Sequence, residues 1–360
     1  LKAADYSAVM YVITNNITDE ENSFYLTNKE IKRMIKTGNW DVESHGHEDH
    51  THIRTNENDD EGHYLANYLW KEDEKRLETH QEYVDRVTND LQYAKEYIEN
   101  ELDTDTVSFS YPFGDYGQRD TNNEKAVEEL ISATTNIYDV TFYQAGIASE
   151  YGFNTQAVTN EQFKRITVQP DWDAATLLSY LEGASEKDRG YAEEFKNKFN
   201  WITGWGQATL DNDALRIRSD DGANGAVVVL NGTETFTDYK IAATIVPEKG
   251  EFVSIIARYK DDDNYLACNY ARDRVFMTEK INGETTNLVY WYNDFSFLYE
   301  NNSFSIGIAV EGDNLSCFLN GGVILKKIHK PSVESGGVAL KIWDPVIDNS
   351  SIKVVDLSVE

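Results

Sequence analysis

The sequence predicts two domains: an α/β domain built on a parallel sheet or barrel, followed by an all-β sandwich or jelly roll. Its 360 residues are about two domains' worth of chain. Strand and helix patterns alternate through the first half, which is typical of parallel α/β folds. From Trp201 on, helical spacing disappears and short strands separated by turns take over. We therefore predict an α/β domain over 1–183, a polar linker over 184–200 and a β-sandwich over 201–360.

The first half begins with an apolar run from Ala8 to Thr14, as expected of a strand buried on both faces. Thr27 and Glu30 form a capping-box pattern that begins a helix, and Gly38 is suited to end it. Further strands and helices then alternate along the chain. The other predicted elements are a strand over 40–44, a helix over about 72–102, a strand over 107–111, a helix over 123–134, a strand over 165–168 and a helix over 174–182.

Asn-Gly pairs mark turns in the second half, at positions 231, 282 and 320. Short runs of alternating apolar and polar residues lie between these turns, which is typical of a sandwich or jelly roll. The predicted strands are Ala226–Leu230, Tyr239–Ile245, Phe252–Tyr259, Tyr265–Tyr270, Phe304–Val310, Leu315–Leu319, Val338–Trp343 and Ile352–Val359.

Composition excludes several classes of protein. With 33 Lys and Arg against 63 Asp and Glu, the formal charge is −30, and such a chain repels nucleic acid. No apolar run has the length of a transmembrane segment. Cys268 and Cys317 are the two cysteines, and both fall in predicted strands. We expect them to be small core residues, which leaves neither a disulfide framework nor a Cys-ligated zinc site.

The chain begins at Leu1 without a basic and then apolar leader, so we expect any targeting segment to lie outside it. An acidic, Asn- and Tyr-rich composition with almost no thiols is typical of secreted bacterial proteins. We therefore expect the protein outside the cell or at the surface of a bacterium.

Histidines concentrate directly after the strand over 40–44. Residues 44–52 read Ser-His-Gly-His-Glu-Asp-His-Thr-His, with four imidazoles and two carboxylates. Imidazole and carboxylate ligands suit a divalent transition metal such as Zn, with an open position for water. A metal there would lower the pKa of that water and polarise a carbonyl group. The alternative is a solvated, histidine-rich loop that holds no metal.

A second pattern lies at 109–116, where Phe-Ser-Tyr-Pro-Phe-Gly-Asp-Tyr ends a strand in a turn rich in Pro and Gly. Such a turn can present backbone N–H groups at the edge of a barrel where catalytic loops lie. The alternative is an ordinary turn that ends a strand.

Together these motifs resemble the polysaccharide deacetylases, the NodB-homology or carbohydrate esterase family 4 enzymes. Residues 40–45 resemble the family's approach to its metal-binding histidines. His45 and His50 are five residues apart, as in the branch that deacetylates biofilm poly-N-acetylglucosamine, so the resemblance assigns both to the metal. Residues 111–114 resemble the next motif, in which the backbone of Phe113 contributes to the oxyanion region and Tyr111 and Pro112 contact substrate.

The resemblance extends over about 1–183 and implies a deformed (β/α) barrel that is incomplete at its N-terminus. The strand that closes such domains resembles 163–168. Ser110 stands where the family has Arg, and the family's Asp-Asp strand, with the catalytic base and a third metal ligand, is expected upstream of Leu1. No His lies between His80 and His329 to match the family's late acid motif. We therefore expect the 360-residue chain to be truncated and weakly active or inactive.

The second half resembles the LamG-like, concanavalin-type jelly rolls that accompany carbohydrate enzymes, on turns and strands rather than on functional residues. Tyr290 and Trp291 are suited to stack on sugar rings; the alternative places Trp291 in the core. Acidic residues at 261–263 suit Ca²⁺ or a solvated turn.

The resemblance as a whole implies metal-dependent hydrolysis of a sugar N-acetyl or O-acetyl group on a polysaccharide, with Zn, Co or Ni as the metal. The alternative is a non-catalytic glycan-binding protein on a degenerate deacetylase scaffold.

Overall fold

The computed structural model describes residues 6–20, 23–146, 151–154, 162–300 and 303–360. The chain divides into two compact units. Unit 1 comprises Leu1–Ala145 and Asn154–Thr167, and unit 2 comprises Gly146–Phe153 and Val168–Glu360. The domain boundaries proposed from the sequence remain a prediction.

Unit 1 is built on a parallel sheet with helices packed against it. Its strands are β1 (Ala8–Val12), β2 (Trp40–Ser44), β3 (His52–Arg54), β4 (Glu61–His63), β5 (Trp70–Lys71), β6 (Arg76–Leu77), β7 (Ser108–Ser110), β8 (Val140–Gln144) and β9 (Gln162–Arg165); its helices are α1 (Asn28–Ile35), α2 (His80–Leu102) and α3 (Ala126–Thr135). The parallel sheet has the order β1-β2-β7-β8-β9, and β3–β4 and β5–β6 form two antiparallel hairpins. A parallel sheet is observed among the described residues, while closure into a barrel remains a prediction.

The helix predicted over 72–102 begins later, at His80. Thr79 and Glu82 form a capping box that fixes the helix start. The residues just before it fold back as the β5–β6 hairpin, in which Lys71 and Arg76 pair with Glu82 at 2.6 and 2.7 Å. The charged residues that suggested helix therefore hold a hairpin onto the first turn of α2.

The core of unit 1 brings two strand ends together. Leu91 of α2 packs in one buried cluster with Phe109 and Tyr111, beside β7. Ser44 of β2 pairs with Phe109 of β7 in parallel register. The carboxyl ends of neighbouring parallel strands lie at the same edge of a sheet. The histidine-rich segment after β2 and the turn after β7 therefore share that edge.

Unit 2 is an antiparallel β-sandwich preceded by one helix. Its elements are α4 (Ala174–Ala184), β10 (Tyr191–Ala192), β11 (Trp201–Trp205), β12 (Gln207–Leu210), β13 (Leu215–Arg218), β14 (Gly225–Leu230), β15 (Tyr239–Lys249), β16 (Phe252–Asp261), β17 (Asn264–Ala271), β18 (Arg274–Ile281), β19 (Glu284–Tyr292), β20 (Phe304–Glu311), β21 (Asn314–Leu319), β22 (Gly322–Ile328), β23 (Gly337–Trp343) and β24 (Ser351–Val359). One sheet has the order β12-β13-β24-β15-β20-β21-β22, with β10 beside β24, and the other has the order β11-β14-β23-β16-β17-β18-β19. One apolar cluster draws residues from both sheets, which confirms the predicted β-sandwich.

The two cysteines correct an expectation. Cys268 of β17 and Cys317 of β21 are fully buried, as predicted, but they form a disulfide with a Cα–Cα distance of 5.7 Å. Because β17 and β21 belong to different sheets, the bond joins the two layers of the sandwich. The two cysteines are 49 residues apart in sequence, and no short sequence pattern predicts that they pair.

Within the described residues, no helix combines the length and the apolar character that a membrane span requires.

Candidate functional site

The segment after β2 is held against β1 by backbone hydrogen bonds. The His45 N–H donates to the Val12 carbonyl at 2.9 Å, and the Thr14 N–H donates to the Gly46 carbonyl at 3.0 Å. Gly46 has a φ of +81°, and a Cβ there would lie 1.9 Å from the Asp49 carboxylate oxygens. Glycine is therefore required at this position both for its conformation and for the close approach of Asp49.

His45 and His50 lie together, with ring centroids 5.1 Å apart and ring planes tilted by 53°. His45 Nδ1 lies 2.5 Å from the Ser110 carbonyl oxygen, which can only accept, so Nδ1 carries the proton. Burial lowers the pKa of His45 to about 4, so the ring is neutral near pH 7. This leaves the Nε2 lone pair of His45 available to a ligand.

The pair fits part of a metal site. A catalytic zinc normally has three protein ligands, and a carbonyl that accepts from the far ring nitrogen is the usual support for a histidine ligand. His45 has that support in Ser110. Among the residues that the structure describes, however, no group of three His, Cys, Asp or Glu side chains is arranged to hold a metal ion. The metal role of His45 and His50 therefore remains a prediction.

His47 makes different contacts. Its Nδ1 lies 2.9 Å from the Thr14 hydroxyl, and its ring centroid lies 4.3 Å from that of Tyr93. Asp49 is 1% exposed, and neither of its carboxylate oxygens has a hydrogen-bond partner among the described residues. Burial, and then the nearby Asp90 carboxylate, raise the pKa of Asp49 well above its ordinary value. Asp90 itself accepts the N–H groups of His47 and Glu48 at 3.1 and 2.8 Å. These two acids therefore contact the segment between His45 and His50.

The turn after β7 presents an aromatic ring to the histidines. Phe113 has a left-handed backbone (φ 57°), and its ring centroid lies 4.4 Å from that of His50 and 4.9 Å from that of His52. Tyr111 and Pro112 are buried, and the Tyr111 hydroxyl is 2.6 Å from that of Thr134. The turn thus brings Phe113 to the histidine pair, while the side chains of Tyr111 and Pro112 lie beneath it. The predicted roles of all three in catalysis and substrate binding are not tested by these contacts.

Two side chains near this turn were not anticipated from the sequence. His63 Nδ1 lies 2.5 Å from a carboxylate oxygen of Asp115, and the His63 ring stacks on Phe113 at 4.4 Å. Arg165 of β9 lies 3.4 Å from the Tyr111 carbonyl, where it brings a cation close to the position of Ser110. His63 could have been found from the hairpin, because β3–β4 pairing places it directly opposite His52.

In unit 2, the predicted sugar-stacking residues lie on β19, the last strand of its sheet. Tyr290 is 60% exposed and Trp291 is 45% exposed, with the indole edge against Phe295. The turn at 261–263 is held by the protein itself, since Asp261 accepts from the Asp263 N–H and Asp263 pairs with Lys280 at 3.0 Å. A calcium ion at this turn remains a prediction.

Comparison with known proteins identifies the class of the first region. Residues 1–130 match the family model of the polysaccharide deacetylases. This match confirms the resemblance stated from the His45–His50 spacing and the turn at 111–114, and residues 1–130 are thus a polysaccharide-deacetylase-like region.

Solved structures similar to the chain include deacetylases and a carbohydrate-binding module. A de-N-acetylase from Aggregatibacter actinomycetemcomitans is 16% identical over 49% of this chain and 66% of its own length, with a TM-score of 0.38. The BpsB deacetylase domain from Bordetella bronchiseptica is 20% identical over 46% of this chain and 62% of its own length, with a TM-score of 0.37. This chain thus spans less than two thirds of either deacetylase. The carbohydrate-binding module CBM66 from Bacillus subtilis is 17% identical over 45% of this chain and 95% of its own length, with a TM-score of 0.38. No curated protein matches the chain.

Proposed function

We propose that this protein is a metal-dependent deacetylase that hydrolyses a sugar N-acetyl or O-acetyl group of an acetylated polysaccharide. One observation carries the proposal: inside the region that matches the deacetylase family, His45 and His50 lie side by side against the turn that bears Phe113. A histidine pair beside a backbone turn is suited to acyl transfer from an amide or ester.

In this proposal His45 and His50 would hold a divalent metal such as Zn, Co or Ni. The bound metal would supply an activated water and polarise the acetyl carbonyl. The chain's own residues orient the two histidines. The Ser110 carbonyl fixes the tautomer of His45, and the ring of Phe113 covers one side of His50. The backbone around Phe113 is proposed to bind the oxygen of the acetyl group.

The test is acetate release from N-acetylated chito-oligosaccharides by the full gene product with added Zn, Co or Ni. We expect activity that His45→Ala abolishes, and a loss of metal binding in the same variant by calorimetric titration. Unchanged activity in His45→Ala would contradict the assignment of the site.

We also propose, from the family resemblance, that the 360 residues alone are weakly active or inactive. Robust acetate release by the 360 residues alone would overturn this expectation and would make Asp49 or another carboxylate the base to test.

A glycan-binding protein without catalysis is the second candidate, and the exposed aromatic side chains of Tyr290 and Trp291 favour it. Flat aromatic faces beside a sheet edge are suited to pack against sugar rings. Glycan binding that persists in His45→Ala but is lost in the Tyr290→Ala, Trp291→Ala double variant, in a protein that releases no acetate, would support this candidate instead.

An extracellular or cell-surface location also belongs to the proposal. The Cys268–Cys317 disulfide supports it, because such bonds form and persist mainly in oxidising compartments. Alkylation of free thiols in the protein taken directly from its native cells tests this, and two free cysteines would contradict it.

A further inference from the structure

His63 and Asp115 form an oriented acid–base pair outside the proposed metal ligands. The Asp115 carboxylate is 3% exposed, and one of its oxygens accepts the Gly117 N–H at 2.9 Å. The other oxygen lies 2.5 Å from His63 Nδ1. A carboxylate held in this way keeps the proton on Nδ1, so Nε2 is the nitrogen that can give up or take a proton.

The pair lies next to the proposed site. The His63 ring stacks on Phe113, with centroids 4.4 Å apart and planes within 7° of parallel. The His50 ring also contacts Phe113 with a centroid distance of 4.4 Å. The side chain of His63 is 21% exposed, whereas Asp115 is buried behind it. Asp115 thus holds an imidazole that stays partly exposed and contacts the same Phe113 ring as His50.

The other histidines near the turn are arranged differently. His45 Nδ1 faces the Ser110 carbonyl, and His47 Nδ1 faces the Thr14 hydroxyl. His52 lies across the hairpin from His63, with ring centroids 5.1 Å apart. Among the described histidines around the Phe113 ring, His63 is the one that contacts a carboxylate.

We propose that His63 is the general acid of the deacetylation and that Asp115 is its positioning residue; this inference rests on the proposed function. Water adds to the acetyl carbon and releases a proton to solvent. As the C–N bond breaks, its electron pair stays on nitrogen, and nitrogen takes the proton from Nε2 of doubly protonated His63. The products are the free amine and acetate, and His63 regains its proton from solvent.

Two substrates with different leaving groups separate this role from a structural one. An amine leaves an acetamide only when it is protonated, whereas the aryloxide of 4-nitrophenyl acetate leaves as a stable anion. In the metal-loaded full gene product, we expect His63→Gln to lower kcat on N-acetylated chito-oligosaccharide by about 10²–10⁴-fold. The same variant should hydrolyse 4-nitrophenyl acetate at the wild-type rate.

Asp115→Asn should give a smaller loss of kcat on the amide, because the amide oxygen can still accept from Nδ1 but without charge. His329→Gln is the matched control, since His329 forms a similar pair with Glu279 at 2.7 Å in unit 2. It should leave both rates unchanged. Nitrogen NMR of the metal-free protein should show that the neutral form of the His63 ring carries its proton on Nδ1, with that signal altered in Asp115→Asn.

The outcomes distinguish the inference from the proposed function. Equal amide rates in wild type and His63→Gln, or equal losses on amide and ester, would overturn the acid role while leaving the deacetylase proposal in place. A proton on Nε2 instead of Nδ1 would also overturn it. A wild-type protein that hydrolyses neither substrate would overturn the proposed function, and this inference with it.

Discussion

Both units bury carboxylates, but they treat them differently. In unit 2, Glu279 accepts from Ser332 and pairs with His329, and Glu193 accepts from Asn200 and the Phe195 N–H. In unit 1, burial raises the pKa of Asp90 and of Asp49, and Asp49 has no hydrogen-bond partner among the described residues.

In unit 1, the carboxylates of interest lie near the edge of the parallel sheet where β2 and β7 end. Asp49 and Asp90 of unit 1 contact the segment that carries His45 and His50. Glu43, whose pKa burial also raises, instead accepts the Val107 and Ser108 N–H groups. In unit 2, Glu279 and Glu193 are paired within a sandwich that a disulfide joins. Burying a carboxyl group without partners, as at Asp49, costs stability, and groups with such perturbed pKa values are common at functional sites. Among these acids, Asp49 is the one buried without a hydrogen-bond partner in the described part of the chain, and it lies beside the candidate site.

The largest expected effect on stability is the loss of the disulfide. We expect the Cys268→Ala, Cys317→Ala double variant to lower the free energy of unfolding of unit 2 by about 2–5 kcal/mol. Hydrogen-exchange mass spectrometry on the folded chain should show faster exchange in β17 and β21, with unit 1 unaffected. Unchanged exchange in these strands would mean that the sandwich core holds its two layers together without the bond.

The next effect should come from Gly46→Ala. A residue with a side chain in the left-handed region costs about 1–2 kcal/mol, and here its Cβ would also meet the Asp49 carboxylate. Gly38→Ala is the control, because Gly38 has a similar φ of +72° but nothing within 4 Å of the added Cβ. We expect Gly46→Ala to destabilise more than Gly38→Ala in urea unfolding and to weaken zinc binding. Equal costs would show that Asp49 moves away freely.

Only part of this fold can be predicted from the sequence. The parallel arrangement of β1 and β2, the capping box of α1 and the sandwich follow from patterns of apolar, capping and turn residues, which are local. The Thr79–Glu82 capping box is equally visible in the sequence. A charged hairpin resembles a charged helix, however, so the predicted helix begins at 72 instead of at His80.

Only part of the candidate site can be predicted from the sequence. The spacing of His45 and His50 and the turn at Phe113 lie in two short segments that can be read directly. His63 and Asp115 are 52 residues apart, and Cys268 and Cys317 are 49 apart. Such pairs depend on which strands become neighbours, and this is decided by packing over the whole unit rather than by any short pattern.

A smaller effect is expected from Asp90→Asn. Asparagine retains one acceptor oxygen but turns its NH₂ group towards one of the two N–H donors, so we expect a loss of about 1–3 kcal/mol. Its pKa is raised by burial, and the charged or titratable groups near it include Asp49, His47, Glu48, Tyr64 and Tyr138. Because the folded pKa lies above the unfolded one, the contribution of Asp90 is largest at low pH and is lost as pH rises through the folded value.

The cost of Asp90→Asn should therefore shrink as pH rises. Urea unfolding of wild type and variant in parallel, between about pH 4 and pH 7, measures this difference. A cost that grows with pH would mean that the two backbone donors favour the charged carboxylate more than burial disfavours it.

The smallest effect is expected from Glu82→Gln, which changes a carboxylate with more contacts than Asp90 but in a half-exposed position. Glu82 accepts the Thr79 N–H at 2.7 Å and pairs with Lys71 and Arg76. Glutamine can also close a capping box, and exposed ion pairs contribute little because water already solvates both partners. We expect urea unfolding to detect a loss well below that of Asp90→Asn, and added NaCl to remove most of it. A loss as large as that of Asp90→Asn, and insensitive to salt, would mean that unit 1 depends on its surface charges as much as on the buried acids Asp49 and Asp90.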